Sequence, residues 1–90
     1  MRKIKLTRAN KSILLKALAP YYYQQRVLGH STQEVGKLIL KINALPADKK
    51  ASFYAEEIFL MRSTINQLRN DQLAKGQYTD AVDDMLLKLF

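Results

Sequence analysis

The chain has 90 residues, of which 48% are hydrophobic and 26% charged, and it contains no cysteine. A chain of this length builds a single hydrophobic core, so the sequence predicts one helical domain over residues 1–90. Without cysteine, a disulfide framework and a thiolate metal site are both excluded, and stability has to come from packing. The missing cysteines also fit a reducing compartment, and we expect the protein to be cytoplasmic.

Charge is distributed unevenly along the chain. The formal net charge is +7, from 15 Lys and Arg against 8 Asp and Glu. Residues 1–33 contain seven of the basic residues and no acidic one, whereas basic and acidic residues are equal in number from Glu34 onward. This asymmetry predicts a negatively charged partner for the first third of the chain: a polyanion, an acidic protein or an anionic membrane surface.

The first element is a short extended arm. Ile4 and Leu6 alternate with Lys3 and Lys5, a period of two that suits extended backbone with one apolar side. The pattern leaves open whether residues 2–6 form a strand.

The first helix is predicted to begin near Thr7 or Asn10, which are both competent caps, and to run to Leu28 before Gly29. Pro20 lies inside it, where the ring removes a backbone donor and crowds the preceding turn. We expect a kink there, with a split into two helices as the alternative. The predicted buried seam consists of Leu14, Leu18, Tyr21, Gln25 and Leu28.

The second helix has a capping-box signal, because Ser31 is followed three residues later by Glu34. We expect the helix to end near Asn43. Gly36 within it is unfavourable for a helix and indicates a close approach to a neighbouring backbone. The predicted buried stripe is Val35, Leu38, Ile39 and Ile42.

The third helix is predicted to open at Pro46 or Ala47 and to end at Lys75, with Gly76 as terminator. Its apolar residues recur in steps of three and four, which is typical of a bundle or coiled-coil seam. Such a seam suits an internal core and a dimer equally well, so a monomer and a homodimer both stay open. The seam residues are Ala51, Tyr54, Ile58, Met61, Ile65 and Leu68.

The last helix is predicted to start at Thr79, with Asp80 and Asp83 near its positive end. Its predicted buried residues are Val82, Met85, Leu86 and Leu89. Short connections between consecutive helices favour antiparallel neighbours. The predicted fold is therefore all-α, an antiparallel four-helix bundle with a short extended N-terminal arm.

A basic and aromatic surface on the first helix is the predicted partner-binding site. With Leu14 and Leu18 turned inward, the helical period directs Tyr23 outward and places Tyr22 at the border of the core. Tyrosine and arginine are favoured where proteins touch one another. The alternative is that the apolar members cover a neighbouring helix while the cations are solvated. This basic-aromatic patch consists of Arg8, Lys11, Leu15, Tyr22, Tyr23 and Arg26.

No pattern in the chain indicates catalysis. His30 has no nucleophile and no orienting carboxylate that the sequence places beside it. Asp80, Asp83 and Asp84 are better explained by a negatively charged first helical turn than by a divalent cation. A glycine-rich phosphate loop is absent from the sequence. We expect no enzymatic activity, no cofactor and no metal.

Residues 29–39, GHSTQEVGKLI, resemble the first helix of the DNA-binding helix-turn-helix of bacterial regulators. The continuation departs from that motif, because Gly36 is followed four positions later by Leu40 where a turn glycine is usual. A recognition helix in PADKKASFYAEE would also present Glu56 and Glu57 to a phosphate backbone. A nucleic-acid-binding regulator is the alternative function.

The organisation of residues 7–90 resembles that of class II bacteriocin immunity proteins of the enterocin A type. The likeness consists of a small, basic, cysteine-free chain, four predicted helices, a long third one in FYAEEIFLMRSTINQL, and the final DAVDDMLLKLF. It implies a cytosolic protein that shields its producer by engaging the bacteriocin-bound sugar transporter at the membrane. Members have a C-terminal specificity tail, whereas Phe90 directly follows the last predicted helix.

These observations together predict a non-enzymatic protein that binds and blocks or shields another macromolecule. A protein is the expected partner, and a small phage- or plasmid-encoded inhibitor would have the same features as an immunity protein. Nucleic acid, and peripheral contact with an anionic membrane, are the other partners that the basic first third would suit.

Overall fold

The computed structural model describes all 90 residues and contains four helices and a two-stranded sheet. The prediction of a mostly helical chain with four helices is confirmed. The expectation of an all-α bundle is corrected, because two short strands pair with each other. In chain order the elements are β1 (Arg2–Leu6), α1 (Arg8–Val27), α2 (Gln33–Ala44), β2 (Lys49–Phe53), α3 (Ala55–Ala74) and α4 (Asp80–Leu87).

The predicted arm is strand β1, and it pairs antiparallel with β2. β2 occupies the segment where the sequence suggested the start of the third helix, so α3 begins at Ala55 instead of Pro46 or Ala47. Asp48 immediately precedes β2 and has a positive φ of 63°, a backbone conformation that does not belong to a right-handed helix. The chain therefore turns at this residue instead of starting a helix. β1 then supplies the backbone hydrogen-bonding partners that β2 needs.

The ends of α1 follow the predicted signals. Thr7 caps the helix: its Oγ1 accepts a hydrogen bond from the Asn10 backbone N at 3.1 Å, and the Asn10 side chain accepts one from the Thr7 backbone N at 3.0 Å. At the other end Gly29 adopts a φ of 75°, a conformation that glycine reaches without steric cost. α1 is continuous through Pro20, so the alternative of two separate helices is wrong.

The start of α2 differs from the prediction. Thr32 precedes the first helical residue and its side chain makes no capping hydrogen bond. Ser31 Oγ accepts only from the Gln33 backbone N, at 3.4 Å, and the predicted capping box with Glu34 is absent. The predicted ends of the later helices are confirmed, since α3 ends two residues before Gly76 and α4 follows Thr79.

The hydrophobic core receives side chains from all six elements. α1 packs against both α2 and α3, and α3 packs against α4, while the inner face of the sheet closes one side. None of the helices combines the length and the apolar character that crossing a membrane requires. The buried hydrophobic residues are Ile4, Leu6, Leu14, Ala17, Leu18, Val35, Leu38, Ile42, Phe53, Ile58, Met61, Ile65, Val82, Met85 and Leu89.

The residues of the predicted seams are buried or half-buried, with two exceptions that lie near helix ends. In α1, Leu28 is 57% exposed because the helix ends one residue earlier, and Tyr21 is half-buried. In the third predicted seam, Tyr54 is 57% exposed because it lies before the first residue of α3, and Ala51 belongs to β2. Misplacing the start of α3 therefore explains the two wrong residues in that seam.

Candidate interaction surfaces

The structure divides the predicted basic-aromatic patch into exposed and half-buried members. Arg8, Tyr23 and Arg26 are exposed, and the exposed fraction of Tyr23 is 62%. Lys11, Leu15 and Tyr22 are half-buried. All six lie on α1, but only the first three are fully available to a partner.

Lys11 has a role within the fold. Its Nζ donates hydrogen bonds to the backbone carbonyls of Asn43 and Leu45, at and just beyond the end of α2. The last carbonyls of a helix lack partners within that helix, and a lysine side chain can satisfy them. Lys11 therefore connects α1 to α2, and its place in a partner-binding surface stays a prediction.

Leu15 and Tyr22 pack against the hydrophobic core. The Tyr22 ring lies over Gly36 of α2, and a Cβ added at that glycine would be 3.6 Å from Tyr22 Cε2. That distance is an ordinary van der Waals contact with a side chain, so the predicted approach of another backbone to Gly36 is wrong. Tyr22 thus meets α2 and Leu15 packs against the core, in line with the alternative interpretation of the patch, although neither is completely covered.

An apolar groove runs between α1 and α2 beside these residues, and we call it the tyrosine groove. The rings of Tyr22 and Tyr23 meet edge to face, with centroids 5.6 Å apart and planes at 84°. Across from them, the side chain of Leu40 is 71% exposed. The groove is lined by Ala19, Tyr22 and Tyr23 of α1 and by Gly36, Ile39 and Leu40 of α2.

The two helices that form the groove are strongly cationic. α1 contains no acidic residue, and the only one in α2 is Glu34, which the helical period places on a different side from Gly36 and Leu40. Two ion pairs form in the whole protein, Lys41 with Glu57 and Arg69 with Asp83. The exposed cations on these two helices have no carboxylate partner. They are Arg8, Lys16, Arg26 and Lys37.

A second basic surface is the outer face of the sheet, which we call the lysine face. It consists of Lys3, Lys5, Lys50 and Ser52. Lys5 lies directly opposite Lys50, and Lys3 directly opposite Ser52. Sequence reasoning missed this surface because it assigned residues 49 and 50 to a helix. The alternation of apolar and polar residues in KASF, like that in KIKL, was the available signal.

Arg2, another of the seven basic residues in the first third, belongs to the fold. Its guanidinium donates hydrogen bonds to the backbone carbonyls of Lys88 and Leu89, both at 2.8 Å. It thereby joins β1 to the end of α4 and satisfies carbonyls that the helix leaves free. The early surplus of charge is therefore divided between the fold, the outside of α1 and the lysine face.

The remaining candidate residues have local partners. His30 Nδ1 lies 2.8 Å from Gln25 Oε1 in the turn after α1. Asp83 accepts hydrogen bonds from Thr79 Oγ1 at 2.9 Å and from Arg69 Nε at 2.6 Å. The Thr79 hydroxyl, followed by Arg69, lowers the pKa of the Asp83 carboxyl below its ordinary value. No three acidic, histidine or cysteine side chains gather where they could hold a metal ion.

The structure bears on one of the two resemblances to known proteins, the helix-turn-helix. The helix-turn-helix interpretation requires a recognition helix in PADKKASFYAEE, where Lys49–Phe53 form β2 instead. The likeness to bacteriocin immunity proteins remains a prediction. Among known proteins, no family model, no curated protein and no solved structure matches this chain.

Proposed function

We propose that this chain is a non-enzymatic binding protein of the cytoplasm that blocks or shields another protein by holding one of its helices in the tyrosine groove. The observation that supports this proposal is the combination, on α1 and α2, of an open apolar groove that no acidic residue lines with exposed cations that form no ion pair. A groove between two helices is a common receptor for the apolar face of a third.

The apolar part of the groove is suited to anchoring a partner. Tyrosine is enriched at the centres of protein interfaces because it offers a large, stiff surface at a low cost in conformational entropy. Packing against the core and Gly36 fixes the Tyr22 ring, and Tyr23 rests edge to face on it. Two rings held in this way lose little freedom on binding. Leu40 completes the surface from the other helix.

The charge around the groove defines the partner. Arg26 and Lys37 are exposed on the two helices that form the groove and lack carboxylate partners. Complementary charge at an interface accelerates association and excludes partners of the wrong sign. The helix bound here should therefore have apolar residues on one face and aspartate or glutamate beside them.

A capture experiment with matched variants tests this proposal. Leu40 in the groove and Leu87 on α4 are both 71% exposed, so Leu40→Asp and Leu87→Asp make the same chemical change in equally solvated side chains. We expect the wild type and Leu87→Asp to retain one protein from the native cell that Leu40→Asp loses. Cross-linking should place an apolar and acidic helical segment of that protein against α1 and α2.

A second variant keeps the test independent of folding. Tyr23→Ala combined with Arg26→Ala alters two exposed side chains and should weaken capture while the melting temperature changes little. Tyr22→Ala is unsuitable for this purpose, because Tyr22 packs against the core. If Leu40→Asp captures the same proteins as Leu87→Asp, the groove is not the binding site.

The bacteriocin-immunity interpretation is one form of this proposal, and a phage- or plasmid-encoded inhibitor is another. In the first case the captured protein would be a sugar transporter bound to its bacteriocin, and expression of this chain would protect sensitive cells. In the second case it would be a host enzyme or regulator. The identity of the protein lost with Leu40→Asp decides between them.

A further inference from the structure

We propose that the lysine face is a second binding site, one that contacts the phosphate backbone of duplex DNA without reading its sequence. This proposal is independent of the tyrosine groove, because it concerns different residues on different elements. Three lysines within two strands of five residues each lie on this face.

The lysines of this face have no counter-charge within the protein. Both ion pairs of the molecule lie elsewhere, and none of the three lysines forms an ion pair. Lys5 and Lys50 are directly cross-strand, where two like charges destabilise a sheet. Folding gains nothing from this arrangement, whereas a polyanion lying across both strands would neutralise it.

The chemistry of the face favours DNA over a protein or a membrane. Apart from lysines, the outward side chains of the two strands include only Ser52, so the apolar centre of a protein interface is missing. Interfacial membrane binding likewise relies on buried apolar surface as well as charge. A two-stranded antiparallel ribbon is narrow enough to enter the major groove of B-form DNA.

The same chemistry predicts contact without sequence discrimination. Lysine can reach the O6 and N7 of guanine, but its compact point charge also suits a phosphate, whereas the planar fork of arginine favours bidentate contacts and adenine is read by asparagine or glutamine. None of those three residues lies on the lysine face. The face should therefore hold unrelated duplexes equally well, and only weakly near physiological salt.

Fluorescence anisotropy with two fluorescein-labelled duplexes of unrelated sequence tests this inference. If three phosphates are neutralised, one for each lysine of the face, the affinity should fall by about 40-fold between roughly 50 and 200 mM salt. Both duplexes should give the same affinity and the same salt dependence. Duplexes that differ strongly in affinity, or affinity that does not respond to salt, would contradict backbone binding.

The variant Lys5→Glu separates binding from stability. It places a carboxylate opposite Lys50, so the melting temperature should stay the same or rise while DNA affinity falls at least tenfold. Lys75→Glu in the exposed turn after α3 changes the net charge by the same amount and serves as the control. Equal losses of affinity in the two variants would show that net charge alone is responsible and would refute the assigned site.

Further measurements separate the lysine face from the tyrosine groove, and DNA from a membrane surface. Lys5→Gln removes one contact and should lower the slope of log affinity against log salt by about 0.9. Leu40→Asp in the groove should leave that slope unchanged, so the two proposed sites can fail separately. Binding to vesicles rich in phosphatidylserine, with no binding of either duplex at about 50 mM salt, would overturn the DNA proposal in favour of a membrane surface.

Discussion

The inner and outer faces of the β1–β2 sheet come from alternate residues of the same two strands, yet they serve different purposes. On the inner face Ile4, Leu6 and Phe53 are buried among the helices. On the outer face Lys5 and Lys50 stand opposite each other without a partner. Because the backbone pairing is shared, the side chains account for the difference. The inner face stabilises the fold, whereas the lysines of the outer face are exposed and form no ion pair.

The largest expected effect tests the inner face. Phe53 is completely buried, and the Lys41 ammonium lies 4.6 Å from the centre of its ring. Phe53→Ala removes this core contact and leaves a cavity, so we expect the free energy of unfolding to fall by about 3–5 kcal/mol. Urea denaturation followed by circular dichroism measures the loss.

Lys50→Ala is the matched change on the outer face of the same strand. It removes one of two opposed positive charges, so stability should stay within about 0.5 kcal/mol of the wild type or increase. Comparable losses in Phe53→Ala and Lys50→Ala would mean that the two faces contribute equally to folding, contrary to the comparison above.

An intermediate effect on stability is expected at Lys41, the lysine of α2 whose ammonium group is hydrogen-bonded within the fold. Its Nζ donates to the Ser52 backbone carbonyl at 2.8 Å and to both carboxylate oxygens of Glu57, at 2.9 and 3.1 Å. Lys41→Met keeps the apolar stem and loses these hydrogen bonds, so we expect a loss of about 1–2 kcal/mol by urea denaturation.

Lys37→Met is the control for that variant, because Lys37 is exposed on the same helix and has no carboxylate partner. Its stability should change by less than about 0.5 kcal/mol. An equal loss in Lys37→Met would show that helix composition, instead of the contacts of Lys41, determines the result.

The smallest effect concerns Asp83, whose pKa is lowered by the Thr79 hydroxyl and then by Arg69. Because the pKa is lower in the folded than in the unfolded chain, Asp83 stabilises the fold above its unfolded pKa of about 3.9. That contribution is lost as the pH falls through the folded pKa. Asp83→Asn should slightly lower the melting temperature at about pH 7, and this difference should shrink at about pH 2.

Asp84→Asn provides the reference for this pH dependence, since Asp84 is exposed and forms no ion pair. Its melting temperature should follow that of the wild type at both pH values. A difference between wild type and Asp83→Asn that persists undiminished at the lower pH would show that the ionised carboxylate is not responsible.

Most features of the fold that depend on neighbouring residues could be predicted from the sequence, although the capping box expected from Ser31 and Glu34 does not form. Thr7 and Asn10 cap each other across three residues, and Gly29 and Gly76 end their helices by adopting positive φ. Each signal acts within one turn of backbone, so no knowledge of the tertiary structure is needed.

Strand β2 could not be predicted in the same way, because its hydrogen-bonding partner lies two helices earlier in the chain. Pro46 and Asp48 are good residues for a helix start, and that local preference masked the short alternation that follows them. Tertiary pairing then overrode the preference.

Each candidate site likewise has a part that local sequence signals indicate and a part that only tertiary packing supplies. Tyr22 and Tyr23 could be placed at the surface of α1 by the helical period, but Leu40 joins them only because α2 packs alongside. Lys3 and Lys5 were recognised as alternating residues, while their neighbours on β2 were not. The sequence therefore indicated one side of each surface, and only the folded chain supplies the other.

The pairing of β1 with β2 across two intervening helices has a consequence for the order of folding. Closing a long segment of chain carries an entropic cost, and contacts between distant residues form more slowly than helical turns. During synthesis, β1 reaches its final arrangement only after β2 has been made. The apolar residues of β1, Ile4 and Leu6, lack their full cover for that interval, which is when the chain is most open to aggregation.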